Sequence, residues 1–275
     1  MTLEFRPLSK SVGAQVIGLD LTKPYDARTT EALRQAFLQY HLLLLRGTEI
    51  SEDDEVRFSE LFGPVSHRGD NMKHGRKVMR ISNAHADGAF PTGELLFHSD
   101  HAFFAHPLKG IALYGEQVPS QGGDTLFSNA AAAWDLLPEA LQAKVRNRSA
   151  INVYDYKVNA GDRPLDPESI SPDAPRQVHP IAWKHPETGR TILFVNSLMS
   201  ARVEGMDPQE SDRTLKELFG YIKRAELIYQ HKWQLYDLVF WDNRVLQHAR
   251  TDFNPQEKRV LRRVPIAEND AAAVA

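Results

Sequence analysis

The sequence predicts a mainly β protein with helical additions, an α+β arrangement on an antiparallel jelly-roll core. Three observations carry that prediction. Short apolar, strand-like runs recur along the chain and dominate its last third. Helical patterns gather at the front and in insertions. The regular β–α–β alternation of a doubly wound sheet is missing, as is any GxGxxG or GxxxxGK loop.

In chain order, AQVIGLDL (14–21) reads as a strand, followed by a helix with Leu33, Ala36, Phe37 and Tyr40 on one face. LLLLRG (42–47) is a short buried strand. Ser51 with Asp54 makes a capping-box signal for a helix carrying Val56, Phe58, Leu61 and Phe62, which Gly63–Pro64 ends. Residues 64–94 form a long excursion around one strand, KVMRIS (77–82). Strand character resumes at 95 and continues through KGIALYGEQV (109–118), turns at Gly122–Gly123, and gives way to a helix from about Asn129. Residues 155–180 hold five prolines and little periodicity, the mark of a lid, a binding loop or a disordered segment. The last third offers the strand RTILFVN, a helix with Leu215, Leu218, Phe219 and Ile222 on one face, the strands AELIYQHKW, DLVFWD and KRVLRRVPI, and an Ala-rich tail expected to fray.

The 275 residues fit one domain, 1–275, with 64–94 and 155–180 as candidate active-site lids. Apolar residues at 42% and charged residues at 25% are ordinary for a globular chain, and a net charge of −3 with scattered basic residues offers no footprint for nucleic acid or an anionic membrane. A small-molecule partner is therefore expected. Cysteine is absent, so a transition metal would have to sit on histidine, carboxylate and water. With no apolar leader and no run near the roughly 20 apolar residues that span a bilayer, a cytoplasmic protein is the expectation.

The chemistry centres on LLFHSDHAFF (95–104), where polar residues interrupt a strand-forming run. Buried polar groups at a strand end need a partner, and a metal ion is one. Side chains alternate on a strand, so His98 and Asp100 share a face and Ser99 points away. His248, directly after an apolar strand, is the best third ligand, and two histidines with one carboxylate form the facial triad that suits non-haem Fe(II). Spacing alone does not decide this, since His85 and Asp87 repeat it, but no strand-forming bulk flanks that pair. His101 should point to the opposite face. In RVLRRV, Arg259, Leu261 and Arg263 share one face and Val260, Arg262 and Val264 the other, so an inward face of either kind brings arginine with it. Inward arginines imply anions within reach; solvated arginines on an edge strand are the alternative.

These residues, in this order, resemble the taurine dioxygenase (TauD/TfdA) family of Fe(II)- and 2-oxoglutarate-dependent dioxygenases. The resemblance runs from GAQVIGLDL through FGPV, FHSD, GGDTLFSN, HPETGR, LFVN and VFWDNRVLQH to the terminal arginines. It implies a double-stranded β-helix (cupin-like) core, with His98, Asp100 and His248 as catalytic iron ligands. It further implies Thr125 and Arg259 on the carboxylates of 2-oxoglutarate, Trp241 packed beside the centre, and Arg263 on the anionic group of the primary substrate. The implied reaction hydroxylates a substrate C–H bond with O2 as oxidant and releases succinate and carbon dioxide. Related enzymes are commonly dimers or tetramers, so a homo-oligomer is expected.

Departures from the taurine enzyme point to another substrate. Glu94 stands in place of an asparagine, Met199 in place of a pocket phenylalanine, and PVSHRGDNMKHGRK in place of a histidine-rich segment. A pocket-facing Glu94 would select a substrate with an ammonium or guanidinium group beside its acid; the alternative is a surface glutamate. Tyr154 and Tyr156 either line the substrate pocket or belong to the core. Two other functions fit the same triad: a non-catalytic metal-binding jelly-roll sensor, and a zinc hydrolase.

Overall fold

The computed structural model describes residues 3–68, 75–89, 92–154 and 170–274. Among them are sixteen strands and six α-helices. The larger sheet runs β1 (Glu4–Pro7), β2 (Ala14–Ile17), β3 (Leu42–Leu45), β14 (Leu238–Asp242), β6 (Gly110–Gln117), β16 (Val260–Ile266) and β4 (Met79–Ser82). Among these strands only β2 and β3 pair in parallel. A four-stranded sheet, β13 (Ile228–His231), β7 (Thr125–Asn129), β15 (Leu246–Arg250) and β5 (Leu95–His98), shares a core with it. That two-sheet, mainly antiparallel core with helices packed outside is the predicted jelly roll.

The leucine run of β3 shows why the sheets stack as they do. Leu42 and Leu44 enter the core between the sheets, beside Ile111, Leu113, Val239 and Trp241 from one and Phe97, Phe127 and Leu246 from the other. Leu43 and Leu45 face the opposite way, onto α1 (Ala27–Tyr40) and α2 (Glu52–Ser59) through Leu33, Phe37, Phe58 and Phe62. A strand buried on both faces needs no polar alternation, and each such leucine contributes about 1.5–3 kcal/mol. Asp26 caps α1, and the Ser51–Asp54 capping box that opens α2 is present in both directions.

Several boundaries differ from the sequence expectation. The helix after Asn129 is two helices, α3 (Ala130–Asp135) and α4 (Glu139–Val145), because Pro138 lacks an N–H to continue the ladder. The helix expected around Leu215 is α5 (Pro208–Ile222), and it buries the four residues of its predicted face. The described end of 155–180 is not structureless: β9 (Arg176–Pro180) pairs with β8 (Ser149–Val153). The Ala-rich tail does not fray; it forms α6 (Asp270–Val274), buries Ala272 and Ala273, and accepts the His67 N–H at the Ala273 carbonyl, 2.9 Å. Tyr156 lies outside the described residues. No helix among them is long and apolar enough to cross a membrane.

β16 lies between β6 and β4 rather than at an edge, so its arginines are not solvated. Both faces bury one. Arg262 donates to Glu55 on α2 at 2.8 Å under the Tyr114 ring, and Arg263 points into the space between the sheets.

Candidate active site

Strand pairing brings the histidines together. β5 and β15 set His98 directly opposite His248, with ring centroids 4.2 Å apart. Asp100 follows two residues after the end of β5, with Oδ1 3.2 Å from His98 Nε2 and 3.9 Å from His248 Nε2. The three ligating atoms lie within 4.8 Å of one another. Atoms coordinated at about 2.1 Å lie roughly 3 Å apart when cis on one ion, so this cluster needs little movement to grip a metal.

The donor chemistry fits as well. His98 Nδ1 donates to the Leu96 carbonyl at 2.7 Å, which leaves the Nε2 lone pair facing Asp100. Burial alone would raise the Asp100 carboxyl, but the Arg263 guanidinium beside it holds it well below the usual carboxylate range. Arg263 Nη2 sits 2.5 Å from Asp100 Oδ2, so Oδ1 is the oxygen left for an ion. Burial, with His98 beside it, pushes His248 down to about 3, leaving a neutral imidazole to ligate. The other triplet is elsewhere: His85 Nδ1 pairs with Ser82 Oγ, and Asp87 is exposed beside Arg76.

A cavity of about 480 Å³ opens from this cluster. On one side stand Thr125 and Arg259. Thr125 Oγ1 accepts from Trp233 Nε1 at 3.0 Å, so its own proton remains available to donate. Arg259 is buried, donates Nε to the Gly123 carbonyl at 3.0 Å, and has no ion-pairing carboxylate among the described residues. Burial and the neighbouring Arg250 push its guanidinium down to about 9, the signature of a buried cation lacking an anion. Gly123, at φ +66°, lets the chain pass here, since a Cβ would come within 3.0 Å of Arg259. Trp241 forms part of the cavity wall, edge-on to His248 at 4.9 Å.

Much of the remaining lining is apolar. Met199 and Tyr154 line the cavity; Tyr154 also packs against the core between the sheets and stacks on Phe103 at 4.8 Å. His101 also lines it, contrary to the alternation rule, because its left-handed φ of 62° swings the side chain back. Glu94 does not: it precedes β5, is exposed and lies outside the cavity wall, so a pocket-facing acid is corrected to a surface one. Both excursions reach the cavity, the first through Arg68 and Met79 and the second through Pro175.

A second group of possible ligands, His185, Glu187 and Asp242, is filled by Arg244, which bonds Asp242 and Glu187 at 2.8 and 2.6 Å. A guanidinium already neutralises those carboxylates, so the group is a structural ion cluster.

Comparison with known proteins adds the family. Residues 4–264 match the model of the taurine catabolism dioxygenase TauD, TfdA family. The chain belongs to that family. Among TauD/TfdA relatives, the (S)-phenoxypropionate/alpha-ketoglutarate-dioxygenase of Sphingobium herbicidovorans is 30% identical over 99% of this chain and 97% of its own. The alpha-ketoglutarate-dependent sulfate ester dioxygenase of Pseudomonas putida is 29% identical, covering 97% of this chain and 90% of its own. A crystal structure of AAD-2 in complex with Mn(II) and N-oxalylglycine superimposes with a TM-score of 0.80 at 25% identity, covering 97% of this chain and 98% of that one. Membership makes this TauD/TfdA chain a 2-oxoglutarate-dependent oxygenase, which requires a metal.

Two site residues escaped the sequence reading. Arg68 is 8% exposed, faces the cavity, leaves Nε and Nη2 without hydrogen-bond partners among the described residues, and lies 5.3 Å from the Phe104 ring centre. It sits in an aperiodic excursion, where no pattern fixes direction. Asn243 hydrogen-bonds the backbone of Asp100 and is fully buried; its only sequence signal was its place in the turn between two strands.

The buried histidines make the metal-free protein acid-sensitive. Burial pushes His41 down to about 4, and His101 and His248 to about 3. A base whose folded pKa is depressed binds fewer protons folded than unfolded, so its contribution is complete above about pH 6.5 and is lost as pH falls toward the folded value. Each loses about 1 kcal/mol over the first unit below that pH and about 1.4 kcal/mol per unit further down, so the three should cost on the order of 3 kcal/mol between pH 6.5 and 5.5. Urea titration at the two pH values measures it, and His41→Gln should remove about a third of the slope.

Proposed function

We propose that the chain is an Fe(II)- and 2-oxoglutarate-dependent dioxygenase that hydroxylates a C–H bond of a small anion with an aryl or alkyl body, releasing succinate and carbon dioxide. The observation that carries this reading is the shared cavity, lined at once by three ligating groups, by a buried guanidinium with no carboxylate partner among the described residues, and by apolar side chains. Iron bound by His98, Asp100 and His248 supplies, with 2-oxoglutarate and O2, the oxidising chemistry. The chain's own residues bind, orient and shield. Arg259 receives the distal carboxylate of 2-oxoglutarate, and Thr125 donates its hydroxyl proton to a carboxylate of the same molecule. Trp241 and Phe127 pack against the His248 ring and hold its plane.

The seat for the substrate's acid is Arg68. Arg263, which the family resemblance assigns to that role, already donates to Asp100 and therefore reaches the substrate only as a neighbour of the metal. Arg68 keeps two donors unused among the described residues and stands over Phe104, beside Phe103, Tyr154, Leu198 and Met199, a wall suited to an apolar body next to the anion. The relatives that act on phenoxypropionate and on sulfate esters are consistent with such a substrate.

A panel of phenoxyalkanoic acids, alkyl sulfate esters and aminosulfonates, read by substrate-dependent succinate formation, tests the reading. At least one of the first two classes should be turned over. Removing one partner of a buried charge pair costs about 2–5 kcal/mol, so Arg68→Gln should raise KM for that substrate roughly 30-fold or more while the affinity for the co-substrate 2-oxoglutarate stays unchanged. An unchanged substrate KM in Arg68→Gln would move the anion seat elsewhere.

A further inference from the structure

The carboxylate ligand is not held by its own strand. β5 ends at His98, and Asp100 begins a turn that runs to Leu108 and carries His101, Phe103 and Phe104. One side chain holds both ends of that turn. Asn243 Oδ1 accepts the Asp100 N–H at 2.8 Å, while Nδ2 donates to the Asp100 carbonyl at 3.0 Å and to the Leu108 carbonyl at 2.9 Å.

Asn243 is itself fixed from outside. It lies between β14 and β15, five residues before His248. Its own N–H donates to the Lys109 carbonyl at 3.0 Å, and the preceding Asp242 N–H donates to the His41 carbonyl at 2.8 Å. The Asp242 carboxylate accepts from Arg244 and pairs with His185 Nε2 at 2.9 Å, and Arg244 continues to Glu187 and Glu268. The whole cluster is buried, apart from Glu187 and Glu268 at its outer end. It lies behind the triad and has no part in the chemistry described above.

We propose that Asn243 is a positioning residue that bolts the hairpin bearing His248 to the backbone of Asp100, and so fixes both the spacing of the metal ligands and the aromatic wall of the substrate space. The proposal rests on the metal-centre reading above. The position demands two donors and one acceptor on a single planar group, which an amide supplies. Asn243→Asp would set a carboxylate oxygen against two carbonyl oxygens, and Asn243→Ala would leave the Asp100 N–H and two carbonyls unpaired. Because the turn links ligand to wall, its loosening should disturb metal geometry and substrate alignment together.

The test uses the intact 275-residue chain loaded with Co(II), whose visible absorption reports coordination geometry. Asn243→Ala and Asn243→Asp should alter that spectrum and weaken Co(II) binding about 10–100-fold, as loss of a ligand-orienting group typically does. The same variants loaded with Fe(II) should form more succinate per substrate hydroxylated than the wild type, read with whichever phenoxyalkanoic acid or alkyl sulfate ester the wild type turns over. Asn129→Ala, which removes a buried amide capping α3, is the control: it should lower thermal stability and leave spectrum, affinity and ratio at wild-type values. Folded Asn243 variants with a wild-type spectrum and affinity would overturn the proposal. Should those variants fail to fold, amide hydrogen exchange on the wild-type apoprotein decides: the Asp100 N–H should be protected like a sheet amide, and exchange typical of an open turn would overturn it. A wild-type protein that fails to bind Co(II) would instead refute the metal-centre reading.

Discussion

Arg259→Ala should raise the dissociation constant of 2-oxoglutarate for the metal-loaded protein by about 30-fold to several thousand-fold, the range set by about 2–5 kcal/mol for a buried charge pair that loses one member. The size of the effect follows from how little else Arg259 does. Its Nε bonds one carbonyl, that of Gly123, and its guanidinium lies 5.9 Å from the Phe253 ring centre with no carboxylate partner among the described residues. A guanidinium does not shed its proton to escape such a site, so it holds a standing demand for an anion. Arg259→Lys should recover only part of the affinity, because an ammonium restores the charge and not the bidentate fork. Gly123→Ala should act in the same direction, since the added Cβ would press on the Arg259 stem at a left-handed position. Anaerobic calorimetry measures all three. A change of less than threefold in Arg259→Ala would place the distal carboxylate elsewhere.

His248→Ala should abolish turnover and weaken Fe(II) binding by well over the 10–100-fold typical of losing an outer-shell contact. The apoprotein should remain folded at neutral pH, and its stability should fall less steeply in acid than that of the wild type, because one buried imidazole with a folded pKa of about 3 is gone. Asp100→Asn should lose metal as fully but behave differently as a fold. It strips the counter-ion from Arg263, whose guanidinium would then be buried against neutral groups. Metal titration together with denaturant curves separates the two variants.

The sequence made most of this site legible where strands fix direction. The apolar run ahead of His248 and the arginines on both faces of KRVLRRVPI follow from period-two geometry, whereas Asp100 comes beside His98 from a turn just past the end of β5 and not by strand alternation. The LLLL run announced a doubly buried strand for the same reason. What stayed hidden lies in turns. His101 escapes alternation through a single positive φ, and Glu94 precedes the strand that would have aimed it. Arg68 lies in a segment with no periodicity, so only its burial and its donors without partners among the described residues mark it. Asn243 was hidden because its function is spread over backbone atoms 135 and 143 residues away in the chain. Pairings such as β8 with β9 need the three-dimensional register, which short polar strands do not declare.

The most direct test of the central claim is an anaerobic calorimetric titration of 2-oxoglutarate into the wild-type protein with and without Fe(II), and into Fe(II)-treated His248→Ala. A ferrous ion held by His98, Asp100 and His248 beside Arg259 requires stoichiometric binding to the loaded wild type, at least tenfold weaker binding without metal, and no metal-dependent gain in the variant. Equal binding with and without iron, or none at millimolar concentration, would contradict it.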